Sequence, residues 1–203
     1  MPPEIAGVVD VIVEPRYDTQ TILAAGALTL TFFQVPIGQG QSAFGAAGTT
    51  KNLSDTNMDL PGQLPAGYNF KITGFRVQPA FTLTAVDARQ WTAGAWFEFT
   101  IGSKPFLRVP LDTIPAGVGP YAAVAAFDAA TSAANRAASH GIPVLSNGYG
   151  VGRKPLDLFQ TQNFNVQLRW TALSPVTSIV PTQVAAGLPI RVYMDGYLTR
   201  VVQ

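Results

Sequence analysis

From Phe164 to Thr171 apolar and polar residues alternate without a slip: Phe164, Val166, Leu168 and Trp170 against Asn165, Gln167, Arg169 and Thr171. Successive side chains of a strand point to opposite faces, so this run is a strand with one face buried and the other wet. The same period recurs at Gly94–Ile101, where Ala95, Phe97, Phe99 and Ile101 oppose Trp96, Glu98 and Thr100. Lys104–Val109 follows Gly102-Ser103 as a hairpin partner. Further strands are expected over Thr21–Phe33, with Leu28, Leu30 and Phe32 alternating with Thr29, Thr31 and Phe33, and over Leu188–Val202. Phe81 and Leu83 start a short one. No strand–helix–strand rhythm and no internal repeat occurs. Strands that are apolar on one face must bury that face against a second layer.

The stretch Asp55–Gln78 joins a loop to a strand. Asp55–Gly67 holds two prolines and two glycines among polar residues, which predicts an ordered loop. Tyr68, Phe70 and Ile72 then alternate with Asn69, Lys71 and Thr73. After Gly74 the apolar residues are Phe75 and Val77, a one-residue slip of the kind a β-bulge produces. In the last strand Asp195-Gly196 breaks the phase. At the other end, Val8-Val9 and Val11-Ile12-Val13 suit a short strand at a sheet edge, because Pro15 removes a backbone donor just beyond them, with a loosely ordered terminus as the equal alternative. Residues 1–18 are expected to be an N-terminal arm and 19–203 a single domain. Tyr121–Ser139 is rich in alanine, the best helix former, with Val124 and Phe127 as its large apolar anchors. It reads as one short helical insertion, with an unstructured loop as the alternative.

These counts predict an all-β fold: an eight-stranded antiparallel β-sandwich, with the single jelly roll as the expected form and the short helix near 121–139 inserted in it. An immunoglobulin-like sandwich is the second possibility; the chain is long for it and lacks its cysteine pair. Periodicity does not decide between their topologies.

Composition narrows function. Charged residues make up 12% of the 203, about half the usual ~25%. The net charge is +1, and Arg153-Lys154 is the only adjacent basic pair, so no electrostatic footprint for nucleic acid or an anionic membrane forms. There are no cysteines, which excludes disulfides, thiolate metal sites and a cysteine nucleophile. No apolar run approaches the length of a spanning helix. Met1-Pro2-Pro3-Glu4 lacks the pattern of a secretory signal.

Few residue groups suggest chemistry. Asp55-x-Asn57-x-Asp59 spaces three oxygen-bearing side chains as a calcium loop does, but that loop also requires a glycine at its sixth place and a glutamate at its twelfth, where this chain has Leu60 and Ala66. Turn-capping side-chain hydrogen bonds are the simpler role. His140 is the sole histidine. A serine triad needs it as base, with Ser139 or Ser103 as nucleophile, and no glycine-x-serine-x-glycine elbow occurs. The glutamates are Glu4, Glu14 and Glu98. Glu98 shares a strand face with Trp96 and Thr100, a surface suited to stacking a sugar and equally to being a solvated or subunit-facing sheet. Gly38-Gln39-Gly40 lacks the third glycine of a dinucleotide loop. Arg153-Lys154 suits an exposed loop better than a phosphate site. The expectation is no enzyme, with no catalytic, cofactor-binding or metal-binding residues and no cofactor.

The loop Asp55-Thr56-Asn57-Met58-Asp59-Leu60-Pro61-Gly62-Gln63-Leu64-Pro65, entering a long strand, resembles the major capsid proteins of tailless icosahedral bacteriophages. The resemblance covers about 25 residues. It implies a jelly roll that packs against copies of itself in a shell and a place in the virion, assembled in the host cytoplasm. Its implied partners are itself and other virion proteins, without specific nucleic acid and without a transmembrane segment. The alternative is a carbohydrate-binding or adhesive β-sandwich.

Overall fold

A computed structural model describes residues 9–23, 27–79, 94–114, 122–125, 135–138, 149–152, 154–171 and 188–201. Along them run twelve strands: β1 Val9–Val13, β2 Arg16–Ile22, β3 Thr29–Phe32, β4 Tyr68–Pro79, β5 Ala95–Ile101, β6 Lys104–Pro110, β7 Ala122–Ala125, β8 Asn135–Ala138, β9 Tyr149–Gly150, β10 Leu156–Leu158, β11 Phe164–Trp170 and β12 Leu188–Val201. One 3-10 turn, Leu111–Thr113, is the helical content among the described residues.

The two longest strands, β4 and β12, lie antiparallel in the middle of a six-stranded sheet. β1 and β2 share the outer flank of β12. Val13 stands opposite Tyr197 and Arg16 opposite Met194, three residues on along both chains. β1 and β2 therefore keep one register and form a single row, broken at Glu14-Pro15 where proline removes a ladder donor. β9 and β10 share the far flank of β4 in the same way, opposite Gly74–Phe75 and Phe70–Ile72. The sheet is thus four rows wide. The second sheet has the order β3-β11-β5-β6, all antiparallel.

The inner faces of the two sheets make the core. Phe164, Val166, Leu168 and Trp170 are buried, as are Ala95, Phe97 and Phe99, each on the face their period predicts. From the first sheet come Phe70, Ile72, Phe75, Val77, Ile190, Val192, Met194 and Leu198. Phe75 of β4 meets Phe97 and Phe99 of β5 across the gap, with ring centroids 5.1 Å apart in both pairs. Each fully buried side chain of this size contributes about 1.5–3 kcal/mol.

The bulge lies where the slip at Gly74 predicts. Asp195 stands opposite Gly74 and Gly196 opposite Ile72, which leaves Thr73 as the extra residue on β4. It moves the inward set from Phe70 and Ile72 to Phe75 and Val77. The break of phase expected at Asp195-Gly196 is not in β12: Met194, Gly196 and Leu198 are all buried on one face. Gly196 is bare because the β4 backbone comes close. A Cβ there would collide with the Lys71 carbonyl oxygen and meet the Phe70 ring at 2.9 Å.

Three expectations need correction. Where a short helix was expected over Tyr121–Ser139, Ala122–Ala125 and Asn135–Ala138 pair as an antiparallel two-stranded sheet. Alanine propensity is worth less than about 1 kcal/mol per residue, and a short helix needs a docked apolar stripe that this segment lacks. The single strand expected over Thr21–Phe33 is two, because β2 and β3 belong to different sheets. Phe33 does not continue the alternation. Its φ is 69°, which turns the side chain inward, and it is fully buried. Among the described residues the two sheets contain ten strands against the eight expected, since two of the eight rows are each split in two. The expected strand at Phe81 and Leu83 lies outside the described residues.

Candidate interaction surfaces

Between β3 and β4 the chain makes the long connection 33–67, which lies against the edge of β2. Thr56 bridges Asp18 as in a sheet. The Asn57 amide donates to the Tyr17 carbonyl at 3.3 Å, and the Tyr17 amide donates to Asn57 Oδ1 at 2.9 Å. Met58 and Leu64 anchor the connection in the core. At Gly62, with φ 61°, the amide donates to the Phe33 carbonyl at 2.7 Å and the carbonyl accepts from Phe164 at 2.8 Å. The expected order of Asp55–Gly67 rests on these bonds.

The inward face of β2 is polar: Arg16 and Asp18 are buried beneath the connection. Lys51 reaches down to Asp18, with Nζ 2.6 Å from Oδ1 and side chains 3% and 0% exposed. Nζ also donates to the Thr19 carbonyl at 2.7 Å. The other Asp18 oxygen accepts from the Phe33 amide at 2.7 Å and from Gln20 at 3.3 Å. Burial pushes the Asp18 carboxyl above its ordinary range, and the Lys51 charge and these hydrogen bonds oppose that shift. Arg16 donates through Nη1 to the Asn57 carbonyl at 2.8 Å. Carboxylate, ammonium and guanidinium together lock the connection onto the sheet.

The Asp55-x-Asn57-x-Asp59 oxygens do not converge. Asp55 is fully buried and accepts from Ser42 Oγ at 2.8 Å, the Ala43 amide at 2.8 Å and the Asn52 amide at 3.1 Å. The Asn57 amide group donates to Glu14 Oε1 at 3.2 Å and to the Pro15 carbonyl at 2.9 Å. Asp59 is exposed. The alternation that spaces ligands in a calcium loop here sends neighbouring oxygens to separate backbone donors. Among the described residues no three histidine, cysteine or acidic side chains are placed to hold a metal ion.

Glu98 is paired with Arg108 at 2.8 Å on the outer face of the second sheet. Trp96 stands opposite Arg169 and Glu98 opposite Gln167, so the face expected around Trp96, Glu98 and Thr100 is assembled, with Gln167 also 3.4 Å from Thr31. Gly38 and Gly40 have positive φ and serve the turns of the connection. Ser103 is exposed in the β5–β6 turn, and Lys154 is exposed. Glu4, Ser139, His140 and Arg153 lie outside the described residues.

Large apolar side chains are exposed at Leu23, Leu28 and Phe106, and they gather in groups at two further places. One is the connection, with Phe44 54%, Leu53 67% and Leu60 40% exposed. Arg191 braces its rim: its guanidinium lies 5.0 Å from the Phe44 ring and 5.4 Å from that of Tyr17, and donates to the Ser54 carbonyl. The other is β1, where Val9, Val11 and Val13 are 40%, 63% and 68% exposed on one face, beside Tyr197 at 43%. From the sequence the long loops Gly38–Gly67 and Ala116–Pro143 are expected to reach neighbouring copies, whereas neither the β1 face nor the Asp18–Lys51 pair is found by sequence reading. The signal for β1 is the valine at every second position; nothing local marks Lys51 as buried. Among the described residues no helix is long and apolar enough to cross a membrane. No family model matches the chain, and neither a curated protein nor a solved structure matches it.

Proposed function

We propose that this chain is a shell-building virion protein: a single jelly roll that assembles with copies of itself, and with other virion proteins, into an icosahedral capsid. The row order supports the jelly roll. Numbered along the chain, the eight rows run 1-8-3-6 in one sheet and 2-7-4-5 in the other. Rows 1 and 8, 2 and 7, 3 and 6, and 4 and 5 are all neighbours. That is one long antiparallel hairpin rolled up, the pattern of a jelly roll. A fold of this kind serves many functions, so the functional reading rests on the surface instead.

The observation that carries it is the 33–67 connection. It exposes four large apolar side chains, Ile37, Phe44, Leu53 and Leu60, yet it is held to the sheet by a buried ion pair and by Met58 and Leu64. A rigid, apolar, charge-poor surface matches a permanent contact between subunits better than a solvated loop. With so few charges, the contacts would rest on apolar burial and amide hydrogen bonds. Salt strengthens the first and screens only ion pairs, with a Debye length of about 3 Å at 1 M. Sedimentation velocity should therefore find oligomers that persist in about 1 M sodium chloride and come apart in mild urea. Regular shells or rings in electron micrographs of the purified protein would support assembly. A monomer at micromolar concentration in low and high salt would count against it.

One face favours a second reading, a carbohydrate-binding sandwich. Trp96, partly exposed, lies beside Glu98, Arg169 and Gln167 on the outer face of the second sheet, an aromatic ring with hydrogen-bonding groups around it. Binding on a glycan array that is lost in Trp96→Ala would select that reading.

A further inference from the structure

The first row of the larger sheet is treated unequally along its length. Over β2 the 33–67 connection covers the edge, through Thr56 and Asn57. The cover stops at Glu14 and Pro15, both bonded to the Asn57 side chain. Over β1, among the described residues, the backbone pairs with β12 alone, and its outer edge is open. An open edge offers unpaired N–H and C=O groups to another strand, and proteins usually blunt it with lysine, proline or a bulge. Val9–Val13 has none of these. Its one charge, Asp10, is 3.6 Å from Arg200 within the same sheet.

We infer that β1 is a two-fold contact with a second copy of this chain, made by antiparallel pairing of the two β1 strands about Val11. This rests on the assembly reading above and names one of its contacts. The sequence Val9-Asp10-Val11-Ile12-Val13 is what favours a copy of itself as the occupant. Paired antiparallel about Val11, Val9 faces the partner subunit's Val13, and Val11 faces its own equivalent. All six exposed valines then form one row across the joint, flanked by Tyr197 at each end. On the opposite face Asp10 falls beside the partner subunit's Ile12. Parallel in-register pairing would instead stack Asp10 on Asp10 and cost stability, as like charges directly opposed do. The contact is isologous, so it closes as a dimer and continues the sheet through both subunits.

The chain has no cysteine, so an introduced one reports a single position. Directly opposed residues of an antiparallel pair have Cα atoms about 4.5–5.5 Å apart, inside the ~4.4–6.8 Å span of a disulfide. Val9 and its equivalent would lie about 14 Å apart along the joint, at about 3.4 Å per residue, too far to bridge. Under mild oxidation Val11→Cys should give a covalent dimer, and Val9→Cys and Val13→Cys should each stay largely uncrosslinked. A mixture of the last two should crosslink. Equal crosslinking of all three variants, or none in Val11→Cys, overturns the proposal. Val11→Lys separates this contact from assembly as a whole. Loss of the two-fold step in sedimentation supports the β1 joint. Unchanged oligomers in Val11→Lys refute it and leave the assembly reading standing, whereas a wild-type protein that is monomeric throughout refutes both.

Discussion

Replacing Lys51 with methionine leaves the Asp18 carboxylate buried without its cation. The wild-type pair is 2.6 Å apart with both side chains out of water. At an effective dielectric of about 20 its Coulomb attraction is about 6 kcal/mol, most of it offset by the desolvation of two ions. Methionine removes the attraction but not the desolvation of Asp18, and it also takes a donor from the Thr19 carbonyl. The expected loss is about 3–5 kcal/mol at neutral pH. Its pH dependence follows from the direction of the Asp18 shift. Burial raises this carboxyl in the folded protein, so its contribution to stability is full below the unfolded pKa and is lost as pH rises through the folded one. Lys51 is the strongest influence holding the carboxyl down. Without it the folded pKa climbs further, so the deficit of Lys51→Met should shrink as pH falls through the carboxylate range and should grow toward neutrality. Adding Asp18→Asn removes the orphaned charge while its side-chain oxygen still accepts the Phe33 amide, and should recover most of the loss. Urea denaturation of the wild type and the two variants at several pH values measures all of this. A Lys51→Met loss below about 0.5 kcal/mol at neutral pH, or one that ignores pH, would show that the pair does not hold the connection in the way described.

Two further outcomes are expected. Gly196→Ala drives a Cβ into the Lys71 carbonyl opposite the β4 bulge, so it should destabilise by about 1–3 kcal/mol or more, read as a lower urea midpoint, whereas Gly102→Ala, with nothing near its Cβ, should lose less and only through its φ of 60°. Calcium at millimolar concentration should leave the melting temperature unchanged in the wild type and in Asp59→Ala, because Asp55 and Asn57 already spend their oxygens on backbone donors; a strong rise that Asp59→Ala abolishes would place a metal there.

Much of the sandwich is local information. The faces of β5 and β11, the bulge at Gly74, the edge position of β1 and the order of Asp55–Gly67 follow from period, glycine and proline, because pleat and turn geometry act over a few residues. Phe33 turns inward where its amide is held by Asp18, 15 residues earlier, and its carbonyl by the Gly62 amide. Ala122–Ala125 becomes a strand because Asn135–Ala138 offers it a ladder that its own composition does not announce. Lys51 looks like an ordinary surface lysine until Asp18 is brought beneath it from 33 residues away. The Asp55-x-Asn57-x-Asp59 spacing suggests convergence, and the fold sends its oxygens apart. Alternation states which side of a strand is dry; which strands share a sheet, which edge is left open and which charges meet in the interior depend on chain segments far apart in sequence, and only the folded packing brings those together.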